Sequence, residues 1–175
     1  RGNNYFSNGV SYLMMSAETL NDLAARVARQ GGEDGARVSR SLPERLRPNL
    51  LVKGTGGART SSPLWEDDVV SVSLTASSTP SESSVGVEGS GAEIVLEGKG
   101  ACSRCHMINM DPADGSFGAE PLLTLSGYRR DGVSGKVLLG VLLESGSIGS
   151  AQAGRASIRA RSRVAVTLRA SEEQH

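Results

Sequence analysis

Short apolar runs separated by glycine recur along the chain and direct it toward a strand-dominated fold. Tyr12-Leu13-Met14-Met15, Leu50-Leu51-Val52, Ile94-Val95-Leu96 and Val137 to Leu143 are too short for core helices but apolar enough for buried strands. Val70, Val72 and Leu74 alternate with Ser71 and Ser73. Ile158, Ala160, Ser162, Val164, Val166 and Leu168 alternate with a face bearing Arg159, Arg161 and Arg163. A period of two sends alternate side chains to opposite faces of a pleated strand, and the arginines form a solvated face that protects an edge. The chain has 22 glycines, concentrated between these runs, which suits tight turns better than a helical bundle.

Helical periodicity is confined to a few segments. Ser16 is an N-cap with Glu18 in the first turn, and Leu20, Leu23, Ala24 and Val27 follow at i, i+3, i+4 and i+7 before Gly31-Gly32 ends the helix. Pro121 starts a second short helix through Leu125 toward Arg130. Residues 33–46 read as a polar connection and Gly54 to Pro63 as a flexible loop. Lys99-Gly100 reads as a turn, and Met107 to Met110 as a strand closed by Asp111-Pro112-Ala113-Asp114-Gly115. Residues 75–92 are small and polar and read as a mobile insertion. The sum is a mainly β fold of the α+β class, a closed or nearly closed barrel with peripheral helices. No glycine-rich phosphate loop follows a strand.

Bulk properties exclude several partners. Lys+Arg and Asp+Glu are equal at 19 each, and only 3% of residues are aromatic. Neither the basic excess nor the stacking platforms of a nucleic-acid binder are present. No apolar run reaches the ~18 residues of a membrane span, so neither nucleic acid nor membrane is an expected partner. Two cysteines in 175 residues are no disulfide framework and suit a reducing compartment, with the cytoplasm as the expected location. The first residue is Arg1 and no signal-peptide order follows it. The chain reads as a piece of a larger polypeptide.

Both cysteines lie in Ala101-Cys102-Ser103-Arg104-Cys105-His106, and a thiolate beside a fixed positive charge is a competent ligand or nucleophile. Three chemistries fit. Cys-x-x-Cys-His is the haem-attachment pattern, although the strand-rich surroundings argue against it. A zinc or redox pair is the second reading, but His106 and His175 are the only histidines, and no second cysteine pair completes a zinc site. The third is a single cysteine that ligates a metal or carries sulfur.

Other segments bear on that choice. In order they are Phe6-Ser7-Asn8, Tyr12-Leu13 with the helix from Ser16 to Leu23, Arg47-Pro48-Asn49-Leu50, Trp65, Ala101 to Cys105, Asp111-Pro112 with Gly115, Glu120-Pro121-Leu122 with Thr124-Leu125, Tyr128-Arg129-Arg130, Gly135-Lys136 and Gly140. In this order and spacing the chain resembles the MOSC family, shared by the C-terminal part of molybdenum cofactor sulfurases and the amidoxime-reducing component enzymes. Met107-Ile108-Asn109, Tyr128-Arg129-Arg130 and Gly135-Lys136 look more like the sulfurases.

The resemblance implies a MOSC-type β-barrel, incomplete at its N-terminus, over residues 1–170, with 171–175 as a polar tail. It implies binding of molybdenum cofactor (molybdopterin), with Cys105 at the position of the metal ligand and as the catalytic or sulfur-carrying residue. Residue chemistry agrees. A soft thiolate suits molybdenum. Arg47 and Arg104 offer forked cationic donors to phosphate or pterin, and Asn8, Asn49 and Ser103 offer donors and acceptors to the heterocycle. Cys102 reads as a small buried hydrophobe and His106 as incidental, while Glu120 with Arg129 reads as a structural ion pair or turn anchor. The implied function is to hold the cofactor while an oxo ligand is replaced by sulfide, as part of a sulfurtransferase. An upstream cysteine-desulfurase domain would carry pyridoxal phosphate, and molybdenum hydroxylases would receive the product. The alternatives are an amidoxime-reducing-type molybdenum reductase and a degenerate, non-catalytic carrier domain.

Overall fold

A computed structural model describes residues 12–75, 93–145 and 164–170. Asn8, most of the 75–92 insertion, residues 158–163 and the tail 171–175 lie outside the described residues. Strand β1 (Tyr12–Ser16) leads into helices α1 (Ala17–Gln30), α2 (Gly32–Arg40) and α3 (Leu42–Leu46), followed by β2 (Leu50–Val52). After 3-10 turns at Ala58–Thr60 and Trp65–Asp68 come β3 (Val69–Thr75) and β4 (Glu93–Arg104). A third 3-10 turn (His106–Asn109), helix α4 (Leu122–Ser126), β5 (Val137–Ser145) and β6 (Val164–Leu168) complete the set.

The six strands form one sheet in the order β2-β1-β5-β4-β3-β6. It is a curled, incomplete barrel with peripheral helices: the strand-dominated α+β class follows the alternation, and the incompleteness follows what the family resemblance implies. Only β1 and β2 pair in parallel, and parallel neighbours need a long crossover. Helices α1 to α3 supply it, so residues 33–46 are helical and not a polar connection. Val38, Leu42 and Leu46, four apart, are the apolar stripe that holds this crossover down, and all three are buried.

The sheet buries apolar side chains on both faces. Met15, Leu23, Val27, Leu42, Leu46 and Leu139 form one core beneath the helices. Met14, Trp65, Val72, Leu96, Val141 and Leu143 form the other. Neighbouring residues Met14 and Met15 therefore serve opposite faces, as a strand requires. Ser16 caps α1 as expected, its Oγ accepting from Thr19 N at 3.0 Å.

Strands β4 and β5 carry a bulge each. The register runs Gly98↔Leu143, Ala101↔Val141, Ser103↔Leu138, so one extra residue on β4 is followed by one on β5. Gly100 (φ 103°) and Gly140 (φ 75°) take the left-handed conformations these bulges need. On β5 the extra residue lets Leu139 and Val141, of the same parity, serve opposite cores. On β4 it corrects the expected turn at Lys99-Gly100. The strand continues through the bulge and brings Cys102, Ser103 and Arg104 into the sheet.

The expected strand from Met107 to Met110 is a 3-10 turn instead. Ile108 and Asn109 are both buried, which strict alternation cannot achieve. Met110 keeps a single bridge to Phe117. Among the described residues no helix is long and apolar enough to cross a membrane.

Candidate functional site

The end of β4 sets the two cysteines apart. Cys102 is buried, with Sγ 3.7 Å from its neighbour's carbonyl oxygen at Ser103. Cys105 leaves the strand in extended conformation (φ −116°, ψ 175°), heads the 3-10 turn and is exposed. Neither is in a disulfide. Both border a cleft of about 410 Å³ whose walls include Arg47, Asn49, Ser103 and Arg104. That volume falls in the ordinary range for small-molecule sites.

Arg104 is mostly engaged by the protein. Its Nε donates to Leu139 O at 3.0 Å and its Nη1 to Leu46 O at 3.2 Å, while Nη2 lies 3.5 Å from Met15 Sδ. One guanidinium thus ties β4 to β5, α3 and β1. Burial pulls its pKa below the ordinary arginine value, and the nearby Cys102 and Cys105 thiols oppose that pull. Arg104 forms a wall of the cleft and supplies a fixed positive charge beside both sulfurs.

Arg47 is the freer cation. It closes α3 in a left-handed conformation (φ 53°), its N–H donating to Pro43 O at 2.9 Å. The guanidinium is exposed and has no protein partner among the described residues. Asn49 anchors the start of β1. Its Oδ1 accepts from Leu13 N and its N–H donates to Leu13 O, both at 2.8 Å. Only the Nδ2 donor is left for a ligand. Ser103 is exposed beside it. The structure therefore gathers Arg47, Asn49, Ser103, Arg104 and Cys105 at one cleft, while Asn8 lies outside the described residues.

A buried polar cluster holds the segment downstream of Cys105. Arg45 donates from Nη2 to Asp111 Oδ2 at 2.9 Å, from Nη1 to Asn109 O at 2.8 Å and from Nε to Ser41 Oγ at 2.8 Å. Arg37 also pairs with Asp111. Asp111 Oδ1 accepts from Ala113 N at 3.0 Å and closes the Asp-Pro turn. Asn109 Oδ1 accepts from Leu122 N at 2.9 Å. The sequence reading did not single out Arg45. Its signal was a charged residue within the turn from Leu42 to Leu46, both of which are buried.

The expected Glu120–Arg129 pair does not form. Arg129 pairs with Asp67 at 2.8 Å, because the fold brings the Trp65–Asp68 turn against its guanidinium. Glu120 does anchor a turn, its Oε2 accepting from Thr124 N at 3.1 Å. His106 is exposed and lies against Phe117, ring centroids 5.8 Å apart. Among the described residues no three His, Cys, Asp or Glu side chains gather as a structural zinc site needs.

The MOSC domain family matches residues 2–158. The chain belongs to the MOSC domain family. Three curated relatives share the similarity, each a protein called molybdenum cofactor sulfurase. The Solanum lycopersicum protein is 31% identical over 141 residues, the Arabidopsis thaliana protein 33% over 141 and the Oryza sativa subsp. japonica protein 32% over 143. Each alignment covers 79% of this chain and 14% of the relative. The MOSC domain described here thus spans about a seventh of those proteins' length. Its cleft combines one exposed thiol, Cys105, with the guanidinium, amide and hydroxyl groups of Arg47, Asn49 and Ser103.

Proposed function

We propose that this MOSC domain holds molybdenum cofactor in the Cys105 cleft as the C-terminal part of a molybdenum cofactor sulfurase. The observation that carries the reading is the exposed Cys105 thiol in the same cleft as Arg47, Asn49 and Ser103. The residues fit the group: the cleft has one accessible thiol, one guanidinium unpaired among the described residues and two polar side chains, and its volume suits a small heterocycle. When bound, the cofactor would supply a molybdenum centre able to exchange a terminal oxo ligand for sulfide.

The chain's own residues do the rest. Cys105 offers the soft thiolate that ligates the metal or carries sulfur. Arg47 holds the phosphate with a forked, permanently charged donor pair. Asn49 Nδ2 and Ser103 Oγ orient the ring system, and Arg104 fixes the wall between the two sulfurs. The chain's similarity to sulfurases supports a pyridoxal-phosphate-dependent cysteine desulfurase upstream as the sulfur source. On this reading molybdenum hydroxylases receive the product, and the two-cysteine composition suits the cytoplasm as the location.

The test is metal analysis of the full-length polypeptide produced in a cofactor-making host, beside Cys105→Ala and Arg47→Ala, with folding checked by circular dichroism. The parent is expected to retain molybdenum and Cys105→Ala to lose most of it. A folded parent without molybdenum would overturn the cofactor reading. Equal loading in Cys105→Ala would remove the ligand role alone. Reduction of N-hydroxylated substrates by the loaded protein would move it to the amidoxime-reducing branch.

A further inference from the structure

A second cleft, of about 470 Å³, shares Arg104 with the first and has otherwise different lining residues. Among the described residues no carboxylate lines it. Besides Arg104, its cations are Arg130 and Lys136, both exposed. Arg130 donates from Nη1 to Gly135 O at 2.8 Å, which steers the guanidinium without neutralising it. The neighbouring carboxylate, Asp131, is turned away: its Oδ2 accepts from Ser134 N and Oγ at 2.6 and 2.5 Å. Lys136 forms no ion pair among the described residues. Asn109, its Oδ1 already bonded to Leu122 N, leaves Nδ2 as a further donor.

The remaining wall is mostly apolar, with the hydroxyl of Ser126 in it. Leu122 and Leu123 come from adjacent positions of α4, and Leu123 is 62% exposed. An exposed leucine beside two cations without a carboxylate partner is a mixed surface. It rewards a ligand that is anionic at one end and apolar at the other, because the ion pairs and the apolar burial are gained together.

We propose that this cleft is an anion site, separate from the Cys105 cleft, for a phosphate or carboxylate joined to a small apolar body. Arg130 and Lys136 bind the anion, Asn109 Nδ2 supplies an extra donor, and Leu123 covers the apolar part. The assignment does not depend on what the Cys105 cleft holds.

The test is calorimetric titration of the full-length protein with phenyl phosphate, inorganic phosphate and benzyl alcohol. Phenyl phosphate is expected to bind saturably and more weakly as salt rises, tighter than inorganic phosphate, with benzyl alcohol showing no saturation. Arg130→Ala and Lys136→Ala are each expected to weaken phenyl phosphate about tenfold, the usual scale of a charged hydrogen bond. Leu123→Ser should weaken phenyl phosphate but leave inorganic phosphate unchanged. These side chains are exposed, so the variants keep the fold. Absence of saturable binding, or affinity unchanged in Arg130→Ala and Lys136→Ala, would overturn the proposal. Loss on Arg47→Ala instead would place the probe in the Cys105 cleft and overturn it equally.

Discussion

Arg45 and Asp111, 66 residues apart, form a buried ion pair at 2.9 Å that fastens α3 to the turn downstream of Cys105. The two side chains are 2% and 7% exposed. Arg45 sits one residue from Leu46, whose carbonyl receives Arg104, so the pair and the cleft wall share a short helix. Removing Asp111 leaves the buried Arg45 charge without its counterion, whereas removing Arg45 leaves Asp111 paired with the half-exposed Arg37. Asp111→Ala is expected to cost about 3–5 kcal/mol of stability and Arg45→Met less, measured by urea denaturation. A loss under about 1 kcal/mol would show that the pair is not what holds this segment.

The cysteines should react unequally. Cys105 is exposed and Cys102 buried, and a thiol reagent needs access. Titration of this chain with an aromatic disulfide is expected to release one equivalent quickly under native conditions and the second only on unfolding. Cys105→Ala should abolish the fast phase. Two fast equivalents would refute the packing assigned to Cys102.

Gly140 and Gly115 separate strain from crowding. Both have left-handed φ, 75° and 76°. A Cβ on Gly140 would lie 2.8 Å from Met14 O and 2.9 Å from Met15 Cγ, whereas one on Gly115 would meet nothing within 4 Å. Gly115→Ala is therefore expected to cost about 1–2 kcal/mol from backbone strain alone. Gly140→Ala adds a clash with the adjacent strand and should cost more, measured by thermal unfolding. Equal costs would mean that β1 yields freely to the extra methyl.

Tyr128 gives a pH signature. Desolvation pushes its phenol up to about 12 from 10.0, with Asp22 adding to the rise and Arg26 and Arg129 opposing it. The unfolded chain therefore loses this proton first. The contribution is complete below pH 10 and is lost as pH climbs from 10 toward 12. The hydroxyl is buried without a partner among the described residues, and the ring keeps its contact with Arg26, 4.3 Å from the centroid, when the oxygen is removed. Tyr128→Phe is thus expected to match or slightly exceed the parent in stability at pH 8 and to lose less between pH 10 and 12. Urea midpoints across that range decide it; parallel slopes for the two proteins would refute the shift.

Periodicity carried much of the fold. The alternation in Val70 to Leu74 and the i, i+3, i+4, i+7 spacing from Leu20 gave β3 and α1, because both signals are local. Helix α2 has no legible period because its nine residues bury a single large apolar side chain, Val38. The Lys99-Gly100 segment looked like a turn because a lone sequence does not distinguish a turn glycine from a bulge glycine. The partner strand β5 decides which one forms.

At the candidate site the sequence alone determined the chemical types present: two thiols, an arginine between them, and the Arg-Pro-Asn turn. Tertiary structure decided their availability. It turned Cys102 inward and Cys105 outward, and it drew the Arg104 donors onto Leu46 and Leu139, 58 and 35 residues away. It also bound the Asn49 acceptor to Leu13, 36 residues back. Side-chain chemistry is a property of each residue, but which donors remain free is set by backbone groups brought together from distant parts of the chain, and no local period encodes them.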